Sequence, residues 1–487
     1  MAEQGRRQRR TRRAMLLLAL AAQAMERADA ALLPALFMEI GAALHASPTA
    51  LGSIALSRSV VQTASYPLAA YLAARHDRLT VIALGAFLWA AATFLIAFST
   101  TFPQMAVTAA LNGVGLALQI PAIHAFVADS VDGASRGMAF GWLQVAAKAG
   151  TVAGTSLGLL IAPTSFMGLP GWRLAFLLLG VVGGAVGVSI RAFAANDAGR
   201  GRAATPAAAK PVRQELQEFA REAKAVMRIP SFQVIIAQGL TGSFPWSALS
   251  FTAMWLELVG FSHGETAALM TLFKVATSLG GLFGGKMGDV LARRFKNWGR
   301  IVLSQISSGT AIPLAGVLLL GLPNDSTTAV KHGAALFVMG FMASWNASAT
   351  NSPILAEIVP PRARTTVFAL DRTFEAVLAS FAPPVVGILA ERMYGYKLVR
   401  SASTSGGAGA VEMERHNATS LARALYTAIA VPMALCCAIY SFLYCTYPRD
   451  REMARAEAAR GGGGDRPGGD GSDTEEQGED ERKLLPQ

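Results

Sequence analysis

Long apolar runs recur along the whole chain and are separated by short polar segments. Each run holds about 20 or more mostly hydrophobic residues, the length that an α-helix needs to cross a hydrocarbon layer roughly 30 Å thick. The pattern therefore predicts twelve membrane-spanning helices, numbered here as spans one to twelve. The runs lie near 14–40, 50–74, 81–99, 103–127, 137–160, 172–193, 229–258, 264–290, 301–321, 330–356, 365–391 and 423–447.

One longer polar stretch divides the spans into two groups of six. The predicted fold class is an all-α membrane protein with two pseudo-symmetric six-helix bundles. From Gly461 the chain is Gly-rich and acidic, a composition that cannot bury a core. The predicted segments are a basic cytoplasmic N-tail (1–13), an N-terminal bundle (14–193), a cytoplasmic linker (194–228), a C-terminal bundle (229–447) and a disordered cytoplasmic tail (448–487).

Composition agrees with this architecture and excludes other classes of protein. Only 15% of the 487 residues are charged and 52% are hydrophobic, whereas soluble proteins carry about 25% charged residues. This balance excludes a cytosolic enzyme, a disordered protein and a nucleic-acid binder. The formal net charge is +11, and arginines crowd the first thirteen residues. Together with the Lys and Arg of the loops, they predict that both termini are cytoplasmic. The N-terminal arginines are also expected to contact anionic membrane lipids.

The loop between spans eight and nine carries a specific motif. It reads Gly285-Lys-Met-Gly-Asp289 and is followed by Arg293. This motif is similar to the G-x-x-x-D-R/K signature of major facilitator superfamily transporters, and the resemblance covers residues 14–447. It implies two six-helix halves around a site near the membrane midplane that opens alternately to either side.

Within that superfamily, span one resembles the spinster-like branch through its acid–Arg–acid cluster, Glu26-Arg27-Ala-Asp29. The chain also resembles uncharacterised plant members. Members of the branch move lysophospholipids and sphingoid phosphates, and some are assigned sugars. Two positions depart from the superfamily's pattern. The loop after span two has Ala74 where the family has Asp, and span four has Ala109 where many proton-coupled members carry an arginine.

Nine charged residues lie well inside the predicted spans, where each costs roughly 2.5–3.5 kcal/mol unless it is paired or faces water. They occur only on spans one, two, five, eight and eleven. In the resembled fold the peripheral helices are spans three, six, nine and twelve, so all nine charges can face the centre. The nine are Glu26, Arg27, Asp29, Arg58, Lys148, Lys274, Asp371, Arg372 and Glu375.

The four acids of this group are candidates for proton coupling. Asp371 and Glu375 share one face of span eleven, and Glu26 and Asp29 share one face of span one. Two carboxylates so close in a low dielectric repel each other, which favours uptake and release of a proton. The alternative is that the charges form ion pairs that only fix how the helices pack.

The cations are candidates for binding an anionic substrate, because five of them face four acids inside the spans. Depth in the membrane pairs Asp29 with Arg58 and Glu375 with Lys274. For the two wall residues on span ten, packing at a lipid interface is the alternative. The substrate-binding candidates are Arg27, Arg58, Lys148, Lys274 and Arg372, with Trp345 and Asn346 as cavity-wall groups.

A further group lies at the predicted cytoplasmic ends of the spans. An acid seven residues before an arginine recurs at the corresponding place in both halves. In the resembled family such groups latch the two halves on the cytoplasmic side. Helix capping and the inside-positive rule explain the arginines as well. The gate candidates are Asp129, Arg136, Gly285, Asp289, Arg293, Glu357 and Arg364.

These features predict a secondary active transporter and not an enzyme. Its substrate would be an anionic or zwitterionic amphiphile such as a lysophospholipid, moved by alternating access and coupled to protons. The alternatives are a passive sugar or metabolite facilitator and a non-transporting membrane sensor on the same fold. Neither a nucleophile–base pair nor a set of metal ligands appears in the spans, so we expect no catalytic residue, cofactor or metal. We expect a monomer.

The C-terminal end matches a sorting signal. It reads Asp480-Glu-Arg-Lys-Leu484-Leu485, an acidic dileucine pattern of the kind that endosomal sorting adaptors bind. The pattern favours a vacuolar, lysosomal or endosomal membrane over the plasma membrane.

Overall fold

The structure is a computed structural model that describes residues 2–75, 78–130, 136–198, 217, 220–221, 223–359, 364–397 and 408–461. Helices make up nearly all of it. The N-terminal half consists of α1 (Ala2–Ala35), α2 (Phe37–Leu44), α3 (Pro48–Arg75), α4 (Arg78–Phe98), α5 (Phe102–Ser130), α6 (Arg136–Ile161), a two-stranded antiparallel ribbon of β1 (Ser165–Phe166) and β2 (Leu169–Pro170), and α7 (Gly171–Ala198).

The C-terminal half repeats six spans with more interruptions. It consists of α8 (Pro230–Ala248), a 3-10 turn (Leu249–Phe251), α9 (Thr252–Val259), α10 (His263–Arg294), α11 (Gly299–Gly316) with a π-helical end (Val317–Gly321), a 3-10 turn (Ser326–Thr328), α12 (Ala329–Ala343), a π-helical turn (Ala347–Asn351), α13 (Ser352–Glu357), α14 (Arg364–Ile388) with a π-helical end (Leu389–Met393), α15 (Ala408–Tyr440) and α16 (Leu443–Gly461).

Each of the twelve predicted runs coincides with one helix or with two consecutive helices. Within the described residues, seven helices are long and apolar enough by themselves to cross a membrane. The other runs are interrupted by a turn or carry a charged residue. Prolines explain two of the interruptions, since Pro34 precedes the break between α1 and α2 and Pro245 precedes the 3-10 turn between α8 and α9.

Both predicted tails are partly helical, and only the disorder predicted from residue 448 differs from the structure. Helix α1 already begins at Ala2, and α16 extends to Gly461, so residues 448–461 are not disordered. Buried polar contacts hold α16 against the C-terminal half. The Asp450 carboxylate accepts from the main-chain N–H of Ser231 at 2.7 Å, at the start of α8. This contact caps a helix N-terminus with a negative charge.

Glycines allow very close helix contacts inside each half. A Cβ at Gly154 of α6 would lie 2.1 Å from the carbonyl oxygen of Ala28 in α1, and a Cβ at Gly280 of α10 would lie 2.1 Å from that of Phe341 in α12. No side chain larger than hydrogen fits there. These glycines of spans five and eight therefore pack helices within the halves.

The two halves meet closely at the end of the bundle opposite the chain termini, called the distal end below. There α3 of the N-terminal half crosses α14 of the C-terminal half. A Cβ at Gly52 would lie 2.5 Å from the main chain of Pro383, and one at Gly387 would lie 2.3 Å from the nitrogen of Thr49. The Thr49 N–H also donates to Glu391 at 2.7 Å. The transporter-like bundle is thus closed at its distal end.

Candidate functional site

Asp29 is the centre of a buried polar network within the N-terminal half. Its Oδ2 forms an ion pair of 2.8 Å with Arg58 on α3 and accepts from Asn112 on α5 at 3.1 Å. Its Oδ1 accepts from Thr93 on α4 at 3.0 Å. Both carboxylate oxygens therefore have donors, and four helices are tied to one buried charge. The Asp29–Arg58 pair that membrane depth predicted is present.

Close packing of α5 on α3 positions this network. A Cβ at Gly113 would lie 2.5 Å from the carbonyl oxygen of Arg58, so only glycine lets the two helices come so near. Asn112, the preceding residue, is fully buried and reaches both Asp29 and Thr93, the latter at 2.9 Å. Sequence reasoning missed Asn112 and Thr93 because both are neutral.

Glu26 and Arg27 divide into a buried acid and an exposed base. The Glu26 carboxylate is buried and accepts from Gln23 at 3.0 Å. It also forms a 3.0 Å ion pair with Arg27, whose side chain is 45% exposed. The buried Glu26 carboxylate thus holds one side of the Arg27 guanidinium, while the rest of that guanidinium stays accessible.

Span eleven repeats this arrangement in the C-terminal half. Glu375 pairs with Arg372 at 3.1 Å, and Arg372 is 70% exposed. Glu375 lies against α8, where a Cβ at Gly239 would come within 3.2 Å of its carboxylate. Asp371, one turn earlier, is buried, and its Oδ1 has no hydrogen-bond partner among the described residues.

Lysines from both halves approach each other between spans five and eight. Lys148 on α6 and Lys274 on α10 are near enough for their charges to interact, and so are Arg27 and Lys148. The Lys274 ammonium lies 5.6 Å from the ring centre of Phe273. Among the described residues no ion pair joins Lys274 to Glu375, so that predicted pair is wrong. Glu375 has a local partner one turn away on its own helix.

The two predicted wall residues on span ten lie inside the C-terminal half. Trp345 is buried against α10, and its role as a cavity-wall residue stays a prediction. Asn346 donates to Ser308 on α11 at 2.8 Å, and its own Oδ1 is buried with no partner in the part of the chain that the structure describes. A Cβ at Gly285 would be in ordinary van der Waals contact with Ser348, at 3.6 Å. Substrate binding by Asn346 stays a prediction.

The described gate candidates have partners within their own half. Asp289 pairs at 2.8 Å with Arg300 on α11, and Arg300 also donates to the carbonyl oxygen of Ala349 at 2.9 Å. Arg293 reaches only the main-chain oxygen of Asp289, at 3.4 Å. The side-chain partner of Asp289 among the described residues is therefore Arg300, which approaches from the neighbouring helix.

The other gate candidates are described only in part. The Glu357 carboxylate accepts a hydrogen bond from the hydroxyl of Tyr447, which lies near the start of α16. The side chains of Asp129, Arg136 and Arg364 lie outside the described residues, as do Leu484 and Leu485. A latch between the two halves at these residues stays a prediction.

Comparison with known proteins decides the family. A family model described as the Major Facilitator Superfamily matches residues 15–383, well over half of the chain. The chain belongs to the Major Facilitator Superfamily. It is thus an integral multi-pass membrane protein of a transporter family, and the sequence-based recognition of that family is confirmed. The predicted fold class is confirmed with it.

Two curated relatives of this superfamily member come from bacteria. An MFS-type efflux pump of Mycolicibacterium smegmatis is 26% identical over 309 residues, which cover 63% of this chain and 67% of the pump. Multidrug resistance protein 1 of Bacillus subtilis is 27% identical over 119 residues, 24% of this chain and 31% of that protein.

Solved transporters share the fold at low identity. A bacterial homologue of the human lysosomal transporter Spinster, in an inward-facing and unoccupied conformation, has a TM-score of 0.76 and 19% identity, over 91% of this chain and 98% of that one. The nucleoside transporter NupG has a TM-score of 0.65 and 14% identity, over 88% and 99%. A D-xylose-proton symporter has a TM-score of 0.58 and 12% identity, over 84% and 96%. At these identities the likeness concerns the fold alone.

Proposed function

We propose that this superfamily member belongs to the spinster-like branch and transports an anionic or zwitterionic amphiphile, such as a lysophospholipid, by alternating access. One observation carries the proposal. In each half an acid holds an exposed arginine, the buried Glu26 with Arg27 and the half-buried Glu375 with Arg372. An exposed charge within a span must face water or lipid headgroups, because hydrocarbon cannot solvate it.

These arginines suit a phosphate-bearing headgroup. A guanidinium is planar and can bind two phosphate oxygens at once, and it remains charged at any physiological pH. The neighbouring lysines, Lys148 and Lys274, add positive charge from both halves. A phosphate headgroup bound between the halves would contact cations of both halves. Its affinity would therefore depend on the distance between the halves.

An apolar cleft beside Lys274 would take the hydrocarbon part of the same molecule only after its wall has opened. It is a small cleft within the C-terminal half, with a volume of about 10 Å³, the size of a single water. Phe273 contributes to its wall and also contacts the Lys274 ammonium. A cation next to an apolar cavity fits an amphiphile better than it fits a sugar, whose hydroxyls would lose their hydrogen bonds there. The lining residues are Pro245, Trp246, Leu249, Phe273, Ala311, Met339, Ala343, Ile429 and Met433.

Proton coupling is assigned to span eleven. Asp371 carries a buried oxygen without a donor, which a bound proton would neutralise. Asp29 differs, since both of its oxygens accept hydrogen bonds, and it acts as a structural charge. A substrate anion that pairs with Arg372 would leave Glu375 without its partner and so link substrate binding to protonation.

Orientation and location complete the proposal. The basic loops place both termini in the cytoplasm, so the distal end faces the cell exterior or an organelle lumen. The acidic dileucine pattern at Leu484 and Leu485 favours a vacuolar, lysosomal or endosomal membrane, through a sorting adaptor. Transport requires one chain.

Counterflow in liposomes tests the substrate class. Purified protein preloaded with an unlabelled lysophospholipid should accumulate the labelled form. Arg27→Gln and Arg372→Gln should each lower that rate about ten-fold, since each removes a charge-assisted hydrogen bond worth ~1.5–3 kcal/mol. Arg423→Gln is the matched control, because Arg423 is an exposed arginine on α15. Counterflow of a sugar without that of any lysophospholipid would establish the passive facilitator instead, and no counterflow of either would favour the sensor.

A further inference from the structure

Three metal-ligating side chains meet at the distal end, where the two halves touch. Glu39 lies on α2 of the N-terminal half, Glu257 on α9 of the C-terminal half, and His263 is the first residue of α10. The Nδ1 of His263 is 2.8 Å from Glu257 and 3.5 Å from Glu39. One ligand atom from each residue lies within 4.8 Å of the other two.

The carboxylates of this cluster have too few partners of their own. The side chain of Glu257 is only 5% exposed, and its Oε2 has no hydrogen-bond partner among the described residues. Both oxygens of Glu39 are also buried without one, apart from the 3.5 Å approach of His263. Two buried carboxylates and one imidazole leave net negative charge even when the imidazole is protonated. When both carboxylates are ionised, such buried charge must be neutralised by a proton or by a bound cation.

We propose that Glu39, Glu257 and His263 form a binding site for a divalent transition-metal ion, with Zn²⁺ as the best match. Zn²⁺ binds imidazole nitrogen and carboxylate oxygen at about 2.0–2.2 Å, so neighbouring ligands of a tetrahedral site lie about 3.3 Å apart. The distances of 2.8 Å and 3.5 Å from the His263 Nδ1 to the two carboxylates lie on either side of that separation. Three protein ligands leave a fourth position for water.

The ligand set also distinguishes Zn²⁺ from the commoner hard cations. Mg²⁺ and Ca²⁺ take six or more oxygen ligands, whereas this site offers one nitrogen and two carboxylates. His263 is 32% exposed, so an ion can enter from the distal side. The cluster therefore has both the chemistry and the access that a transition metal needs.

A bound metal ion would join the two halves. Glu39 belongs to the N-terminal half, whereas Glu257 and His263 belong to the C-terminal half. A bound ion would add a link at the end that the Gly52–Pro383 and Gly387–Thr49 contacts already close. Metal should therefore stabilise the state closed at the distal end and slow any cycle that must open it. This consequence needs no knowledge of the substrate.

Zn²⁺ binding to the full-length purified protein tests the proposal directly. After removal of metal by chelation, equilibrium dialysis should show one saturable site per chain. Glu257→Gln and His263→Asn should each weaken binding by about ten-fold or more, at least the loss seen when an outer contact of a metal site is removed. Glu412→Gln and His416→Asn are the matched controls on the exposed start of α15, and both should bind as the wild type does.

Two further measurements separate a lost ligand from a damaged fold. Each variant must elute as a single species and keep the metal-free melting temperature of the wild type. X-ray absorption of the Zn²⁺ complex should show imidazole scattering that disappears in His263→Asn. The proposal is overturned if the wild type binds no Zn²⁺ at micromolar concentration. It is equally overturned if both ligand variants bind Zn²⁺ as tightly as the wild type.

Discussion

Asp29 on α1 and Arg58 on α3 form a 2.8 Å ion pair in which both side chains are almost completely buried. The pair lies well inside spans one and two, where a single unpaired charge would be least tolerated. Thr93 and Asn112 supply the remaining hydrogen bonds to the carboxylate. A pair so fully satisfied is a packing element, and its two members should depend on each other.

That dependence predicts the outcome of a double-mutant cycle. Asp29→Asn alone should lower the free energy of unfolding by about 3–5 kcal/mol, since it leaves a buried guanidinium without its counter-charge. Arg58→Met alone should cost a comparable amount. The double variant should be more stable than the sum of the two losses implies. Thermal unfolding in detergent measures all three, and strictly additive losses would contradict the coupling.

Proton coupling through span eleven gives a second prediction. Asp371→Asn and Glu375→Gln should abolish uptake driven by a pH gradient, because neither amide can take up or release the proton. Exchange of substrate at equal pH on both sides should persist in both variants, since it needs no net proton movement. Transport by Glu412→Gln, an exposed carboxylate on α15, should be unchanged. If both span-eleven variants keep gradient-driven uptake, these acids do not couple transport to protons.

The charged residues inside the spans show what can be predicted from depth in the membrane, counted along the sequence from the ends of each span. Counting residues from the ends of the spans found the Asp29–Arg58 pair, because two long helices crossing the same layer fix its depth. The same count failed for Glu375 and Lys274. It ignores rotation about the helix axis, and Arg372 lies on the same face one turn away from Glu375.

Contacts between distant segments were beyond the sequence patterns. Asp289 pairs with Arg300 and Glu357 with Tyr447, and neither partner belongs to the repeated acid–arginine spacing. The cluster of Glu39, Glu257 and His263 was likewise missed. Glu39 is more than 200 residues away from Glu257 and His263 in the sequence and reaches them from the other half. Local spacing carries no signal for such a site.

The seam between α3 and α14 predicts a conformational effect of glycine substitutions. Gly387→Val should force the main chain of Thr49 away, since even a Cβ would lie 2.3 Å from its nitrogen. The distal end should open, and cysteines introduced beside the seam should react faster with a water-soluble maleimide. Gly184→Ala is the control, because a Cβ at Gly184 has nothing within 4 Å. Equal labelling rates in Gly387→Val and the control would show that the seam does not hold the distal end closed.

Helix α16 should contribute to the stability of the C-terminal half. Arg451 is buried and donates to the carbonyl oxygen of Lys296 at 2.6 Å and to Asn297 at 2.9 Å, in the loop between α10 and α11. Arg451→Ala leaves those acceptors without a charged donor and should lower the free energy of unfolding by about 1.5–3 kcal/mol. Arg455→Ala, one turn later on the exposed face, should change it little. Melting curves of the two variants in the same detergent decide the matter, and equal midpoints would mean that α16 contributes nothing through Arg451.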